Sequence, residues 1–161
     1  MEIYSLILII VGVYFFIFSL LNILKIKKDT VNYELENQPL VSVLIPARNE
    51  EDNIKNCIES FLNQTYKNYE ILVLDDNSTD NTYKIVESYT KKYPGKIKLF
   101  SGKPLPPTWR GKSFAMQQLI NYAKGEYFLF TDADTTHSKN SISLMIILKF
   151  LKERCEKCHC D

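Results

Sequence analysis

Residues 41–51 read Val41-Ser42-Val43-Leu44-Ile45-Pro46-Ala47-Arg48-Asn49-Glu50-Glu51. The run from Val41 to Pro46 is short, aliphatic and closed by proline, then turns abruptly polar. That pattern predicts a strand buried in a sheet rather than a helix. Residues 51–64 follow with Ile54, Cys57, Ile58, Phe61 and Leu62 at helical spacing, which predicts an amphipathic helix.

The alternation continues down the chain. Tyr69 to Leu74 reads as a second strand. Residues 80–92 read as a helix with Thr79 as its N-cap and Thr82, Ile85, Val86 and Tyr89 on one face. Ile97 to Phe100 reads as a third strand, followed by a Pro, Gly and Lys loop over 101–112. A helix from Ser113 to Ala123 is expected to bury Ala115, Leu119, Tyr122 and Ala123. Tyr127 to Thr131 reads as a fourth strand and 139–152 as a last helix. Strands alternating with helices imply an α/β fold with a parallel sheet, helices on both faces and right-handed crossovers.

In such sheets ligands bind beyond the carboxyl ends of the strands. Polar clusters stand at three of those ends: Ala47-Arg48-Asn49-Glu50-Glu51, Asp75-Asp76-Asn77-Ser78-Thr79-Asp80 and Asp132-Ala133-Asp134. Converging carboxylates repel unless a cation compensates them. Asp132 and Asp134 are spaced so that two carboxylates of one turn face a single hard cation such as Mg²⁺ or Mn²⁺. The alternative is a pair of turn-forming or capping aspartates. Asp75 and Asp76 suit a base N–H or ribose hydroxyls, against the alternative of an ordinary Asx-rich turn. Gly111-Lys112-Ser113 matches the end of a P-loop, but Pro106 stands where that motif needs glycine, so a Walker A site is excluded. Lys112 still lies at a loop-to-helix junction suited to a phosphate, or is a solvated surface lysine. Trp109, the single tryptophan, either covers a site, packs on sugar or lipid, or anchors its own loop.

The chain has 161 residues, 45% hydrophobic, 24% charged and 12% aromatic, with net charge +1. These values exclude a disordered or fibrous chain and give no bulk attraction to nucleic acid. Residues 3–24 carry no charged side chain. As a helix that segment is roughly 33 Å long, enough for a bilayer core of about 30 Å. A signal peptide would have a basic start and a small-residue cleavage site, and neither is present. A helix buried in a protein core is rarely apolar all round. Lys25, Lys27 and Lys28 follow the segment and no Lys or Arg precedes it, which places the rest of the chain in the cytoplasm. The expected layout is a transmembrane helix over 3–24, a linker over 25–40, a nucleotide-binding domain over 41–152 and a Cys-rich tail over 153–161.

The stretch 41–51 resembles the opening of family 2 glycosyltransferases of the GT-A, Rossmann-like fold. Residues 70–82, with Asp75 and Asp76, resemble their second motif. Gly125-Glu126-Tyr127 through Asp132-Ala133-Asp134 resembles the strand carrying their D-x-D. The order and spacing of these motifs agree across 41–137. Residues 104–112 are similar to a membrane-bound subgroup acting on carotenoid- and hopanoid-type lipids. The resemblance implies a UDP-sugar donor, with Asp76 on the uracil and Ala47, Arg48, Asn49 and Glu50 lining the base and ribose. It implies Asp132 on the ribose or metal, Asp134 on Mn²⁺ or Mg²⁺ bridging the diphosphate, and Lys112 placing the phosphates. Transfer with inversion to an acceptor, a lipid or polyprenoid, is the implied reaction.

In that family the general base lies well downstream of the D-x-D, so it is expected beyond Asp161 and the chain is expected to be the truncated donor half. The helix over 139–152 is apolar nearly all round, which agrees with missing neighbours. The tail carries Cys155, Cys158, His159 and Cys160. A haem attachment site is discounted in a cytoplasmic segment, a zinc site would be strained, and an altered tail after a frameshift or early stop is the leading expectation. Three readings are carried forward: a membrane-anchored, metal-dependent glycosyltransferase, an inactive nucleotide-binding relative, and a nucleotidyltransferase-like enzyme. The last is disfavoured because its Gly-rich basic opening loop is missing.

Overall fold

The computed structural model describes Tyr4, residues 10–21 and residues 38–157, with side chains described to Phe150. The chain divides into two compact units, Asn37–Ile146 and a second made of residues 1–36 with 147–161.

In the first unit four strands form one parallel sheet in the order β3-β2-β1-β4. The strands are β1 (Val41–Ala47), β2 (Tyr69–Asp75), β3 (Ile97–Ser101) and β4 (Tyr127–Phe130). The helices between them are α2 (Ile54–Leu62), α3 (Thr82–Lys92) and α4 (Gly111–Tyr122), and α5 starts at Ser141 and runs to Lys157. Residues 10–21 are helical and are labelled α1. The sheet grows outward from β1 through β2 to β3, then reverses, and β4 returns to the other edge of β1. Right-handed crossovers in opposite directions put their helices on opposite faces. Leu44, Leu72 and Leu74 accordingly pack under Ala115 and Leu119 of α4. The alternate residues Val43, Ile45, Ile71 and Val73 face the other way and are fully buried. On that side α2 packs on α3, and α3 on β2 and β3.

Two helices start later than the sequence predicts, whereas α4 starts earlier, at Gly111 rather than Ser113. α2 begins at Ile54 rather than 51, and α3 at Thr82 rather than 80 with Asn81 in the cap position. The physical reason is local competition: Glu50, Glu51, Asn53 and Asp80 spend their polar groups on loop hydrogen bonds. Thr79 does not cap α3, because its amide and hydroxyl both donate to Asn49 Oδ1. Tyr122 is exposed rather than buried and stacks on Phe100 at 4.1 Å between ring centroids. Ala123 is half-buried at the same cluster. On α5, Ile142 and Ile146 are buried, whereas Leu144 and Leu148 are exposed, so this stretch is not buried all round.

The amino ends of the strands are tied by a buried carboxylate. Glu70 Oε1 accepts from Ser42 Oγ and from the Lys124 amide, each at 2.8 Å. Lys98 Nζ donates to Glu70 Oε2 at 2.8 Å, and the Gly125 amide donates to Ser42 Oγ. Gly125 is obligatory here, since a Cβ would lie 2.6 Å from the Ser42 nitrogen. Three strands and the entry to β4 thus share one charge.

In the second unit the described part of α1 exposes apolar side chains, Phe16 most at 70%. Among the described residues no helix is long and apolar enough to cross a membrane. The remainder of the expected 3–24 span, and Lys25, Lys27 and Lys28, lie outside the described residues. So do the side chains of Cys155, Cys158, His159 and Cys160.

Burial works against the Glu70 charge, but the bonds from Lys98, the Lys124 amide and Ser42 outweigh it and hold the carboxyl below its ordinary value. A lowered folded pKa gives stability that is present above the unfolded value and lost as pH falls through the folded one. Glu70→Gln is expected to cost about 1–3 kcal/mol at neutral pH, because Lys98 loses its partner. The gap between the two proteins should narrow below about pH 4.5, as read by urea denaturation against pH.

Candidate functional site

The carboxyl ends of β1 and β2 run into loops that bond to each other. Asn49 and Asn77 both adopt left-handed backbone, φ 54° and 58°. Asparagine tolerates that region because its short polar side chain bonds locally. Asn49 Oδ1 accepts from the Thr79 amide at 2.8 Å, and the Asn49 amide donates to Ser78 Oγ at 3.0 Å. The Glu50 amide donates to Thr82 Oγ1, and Glu51 Oε2 accepts from the Asn81 amide and side chain. The two loops form one rigid rim.

Beyond β4, residues 131–137 pack against α2 through Cys57, Ser60 and Phe61. Thr131 Oγ1 lies 2.7 Å from His137 Nε2 and 2.7 Å from Thr135 Oγ1. The His137 ring sits on Phe61 and its amide donates to Ser60 Oγ. Burial lowers the His137 pKa below the ordinary histidine value, which favours the neutral ring. Cys57 Sγ lies 3.6 Å from the Asp132 carbonyl. Burial, with Asp134 and Asp132 nearby, pushes the thiol up to about 12, so it is an inert packing group.

Between these loops lies a cavity of about 320 Å³. Ala47, Arg48, Glu50, Asp76, Lys112, Asp132 and Asp134 all line it, together with Pro46, Gly111, Ala115 and Ala133. Two expected site residues do not. Asn49 is spent on the rim. Asp75 is buried: its Oδ2 accepts from the Ser78 amide at 3.2 Å, and its Oδ1 has no partner among the described residues. Gly111, Lys112 and Ala115 belong to α4, whose N-cap Arg110 makes no side-chain capping bond. The uncapped amino end of α4 offers backbone N–H groups and a positive dipole to an anion.

Charges of both signs meet inside. Lys112 Nζ lies 2.6 Å from Asp132 Oδ1, and Arg48 Nη1 lies 3.9 Å from Asp76 Oδ2. The Asp134 carboxylate has no hydrogen bond or ion pair among the described residues. Among them no group of three or more His, Cys, Asp and Glu could hold a metal alone. Two carboxylates with hard oxygen donors still fit Mg²⁺ or Mn²⁺, which commonly completes its shell with phosphate oxygens and water. Sequence reasoning did not single out Gln118, Ser78 or His137, which support the site. Gln118 and Ser78 act by accepting from the backbone amides of Lys103 and Asn49, and His137 by its contacts with Thr131 and Phe61, none of which a sequence motif marks.

Asn49→Ala is expected to cost about 1–2 kcal/mol, chiefly from a strained left-handed alanine, with a smaller loss from the exposed bonds that Thr79 donates to Asn49 Oδ1. Urea denaturation reads the cost, and hydrogen exchange should show protection lost at the Thr79 amide while that of β1 is kept.

Comparison with known proteins agrees with this architecture. Mannosyltransferase PcManGT from Pyrobaculum calidifontis, solved with GDP-Man and Mn²⁺, superposes with a TM-score of 0.58 at 25% identity. The match covers 72% of this chain and 35% of that one. S. aureus TarS 1-349 in complex with UDP-GlcNAc gives a TM-score of 0.54 at 29% identity, over 70% of this chain and 31% of that one. The Escherichia coli UDP-Glc:alpha-D-GlcNAc-diphosphoundecaprenol beta-1,3-glucosyltransferase WfgD is 35% identical over 108 residues. That match covers 66% of this chain and 40% of WfgD, and the chain spans only 14% and 27% of two other curated relatives. The family model described as glycosyl transferase family 2 matches residues 42–154. The chain belongs to glycosyl transferase family 2.

Proposed function

We propose that the cavity binds the donor of a glycosyltransferase, a UDP-sugar, with Mn²⁺ or Mg²⁺. The observation that carries this reading is the pairing of Lys112 and the uncapped end of α4 with the acidic turn at Asp132 and Asp134, all on one cavity. Phosphate oxygens suit the first two and a divalent cation suits the last. The UDP-GlcNAc bound to TarS and the Mn²⁺ bound to PcManGT support the same assignment.

The residues divide the work by chemistry. Asp76 accepts from the base N–H, and Arg48 and Glu50 flank the base and ribose on the rim. Lys112 and the first amides of α4 hold the diphosphate. Asp132 and Asp134 would hold the divalent ion, which supplies charge stabilisation to the leaving diphosphate when bound. In the transfer the bond from the sugar anomeric carbon to the diphosphate oxygen breaks. The acceptor hydroxyl oxygen bonds to that carbon from the opposite face, inverting it, and its proton passes to a general base. We further propose a lipid-linked acceptor, supported by the diphosphoundecaprenol substrate in the name of WfgD. Residues 3–24 are the proposed membrane anchor and residues 41–152 the cytoplasmic donor-binding domain.

Calorimetry with UDP, in Mn²⁺ and in EDTA, tests the reading. Wild type should bind only with metal, and Asp134→Ala should lose affinity on the order of 10-fold or more. UDP binding that ignores both EDTA and the substitution would overturn the metal assignment. No binding by a folded sample would overturn the donor site. Release of UDP from UDP-GlcNAc by the same chain separates transfer from mere binding.

Lys112 gives a second test, because it competes with a cation for Asp132. Lys112→Met should weaken UDP binding yet tighten Mn²⁺ binding in the absence of nucleotide. An exposed ion pair sets the second effect at about 2- to 5-fold. Arg48→Met should leave Mn²⁺ affinity unchanged. Mn²⁺ titrations followed by electron paramagnetic resonance read both.

A further inference from the structure

The loop from Gly102 to Arg110, between β3 and α4, is held stiffly at both ends. The Gly102 amide donates to the Asp75 carbonyl at 2.8 Å, and the Lys103 amide donates to Gln118 Oε1 at 2.9 Å. Gln118 is buried, so this acceptor is fixed. Pro104, Pro106 and Pro107 lock the backbone between. The Trp109 amide closes a turn on the Pro106 carbonyl at 3.0 Å. On this frame Leu105 is 52% exposed and Trp109 42% exposed. Trp109 touches Phe114 of α4 at 5.7 Å between centroids and does not line the cavity.

The loop's own charges are all of one sign, although the Asp76 carboxylate of the cavity lies near Gly102 and Gly111 at its two ends. Residues 102–113 contain Lys103, Arg110 and Lys112 and no Asp or Glu. Lys112 is held by Asp132, while Lys103 and Arg110 have no ion-pair partner among the described residues. Both side chains leave about half of their apolar surface in water, which a less polar surrounding would cover favourably. A rigid loop displaying an amphipathic indole and an aliphatic chain beside free cations has the chemistry of a bilayer interface. Indole rings settle at headgroup depth, and Lys and Arg are drawn to anionic lipid phosphates. A protein partner is less favoured, since the tip is small and lacks the acids and acceptors of a polar rim.

We propose that loop 102–110 docks on an anionic membrane surface, with Trp109 and Leu105 at headgroup depth and Lys103 and Arg110 on lipid phosphates. Gly111 and Lys112 follow the loop directly and line the cavity, so docking holds the cavity mouth beside the bilayer. The contact requires no nucleotide and does not rest on the donor assignment.

Trp109 is the only tryptophan, so its fluorescence reports this loop alone. The full chain is reconstituted in vesicles of phosphatidylcholine, with or without phosphatidylglycerol, carrying brominated lipid. Trp109 emission should shift to the blue and be quenched in the anionic vesicles, and high salt should reverse both. Lys103→Glu with Arg110→Glu should weaken this partitioning at least about 30-fold at low salt, from about 1 kcal/mol per lost cation. Both positions are exposed, and an unchanged thermal melt shows that the variant folds. Emission that is water-like and unquenched in every vesicle overturns the proposal. Quenching that ignores lipid charge and the double substitution also overturns it, since proximity then comes from elsewhere in the chain. A shift produced by UDP and Mn²⁺ without lipid makes the loop a cover for the donor and overturns it as well.

Discussion

Val41 pairs with Tyr69 on one side and Tyr127 on the other, and both registers run parallel from there. That double pairing of one central strand fixes the site. On the β2 side Ala47 stands level with Asp75, so the two rim loops begin side by side and bond to each other. On the β4 side pairing stops at Leu44 with Phe130. The shorter strand lets Asp132-Ala133-Asp134 turn inward at the height of Pro46 and Ala47. A one-residue slip would send every apolar side chain of β1 to the wrong face, so the burial of both faces enforces the register. The cavity is therefore a product of strand length as much as of strand order.

The opposite edge of the sheet solves the matching problem. There Ser42, Glu70, Lys98 and the Lys124–Gly125 turn share one buried charge. Such a group adds little net stability against an apolar replacement, because desolvation consumes most of the Coulomb gain. It does exclude alternatives. A shifted β2 would leave Glu70 without partners, and a shifted β4 entry would meet the Gly125 clash. Polar groups at the amino edge choose the alignment, and polar groups at the carboxyl edge are then free for ligand.

The strands were readable from composition to within a residue, since Val, Ile and Leu at 41–45 and 70–74 have no other stable use in a chain of this kind. Parallel pairing followed from the alternation of strands with helices. The order β3-β2-β1-β4 did not, because nothing in a sequence marks where the sheet reverses. The starts of α2 and α3 were misread for one cause: Glu50–Asn53 and Asp80 are good first-turn residues, and the fold uses them across loops instead. The cavity-lining acids Asp76, Asp132 and Asp134 were visible because their spacing follows strand ends. Asn49 and Asp75 were visible too but were given the wrong task. One sets the backbone of the rim, and the other is buried beneath it. Gln118 reads as an ordinary helix surface residue, and only its burial shows that it holds a loop.

The cavity lining carries two cations, Arg48 and Lys112, and four carboxylates, Glu50, Asp76, Asp132 and Asp134, and this constrains any reading of it. Arg48 and Lys112 lie against Asp76 and Asp132, so two of the four carboxylates are paired, while the Asp134 carboxylate has no hydrogen bond or ion pair among the described residues. Binding is then an exchange of partners. A diphosphate that draws Lys112 away exposes the Asp132 carboxylate, and a divalent cation that takes that carboxylate releases Lys112. Each ligand removes the cost of the other, which is positive coupling with no change of fold, and by linkage the coupling is equal in both directions. A free cation meets a lysine already in place, and a free diphosphate meets a carboxylate that holds its lysine back. The pair of ligands together meets neither obstacle. On the proposed donor reading, the Lys112–Asp132 pair thereby favours a metal–diphosphate complex over either component alone.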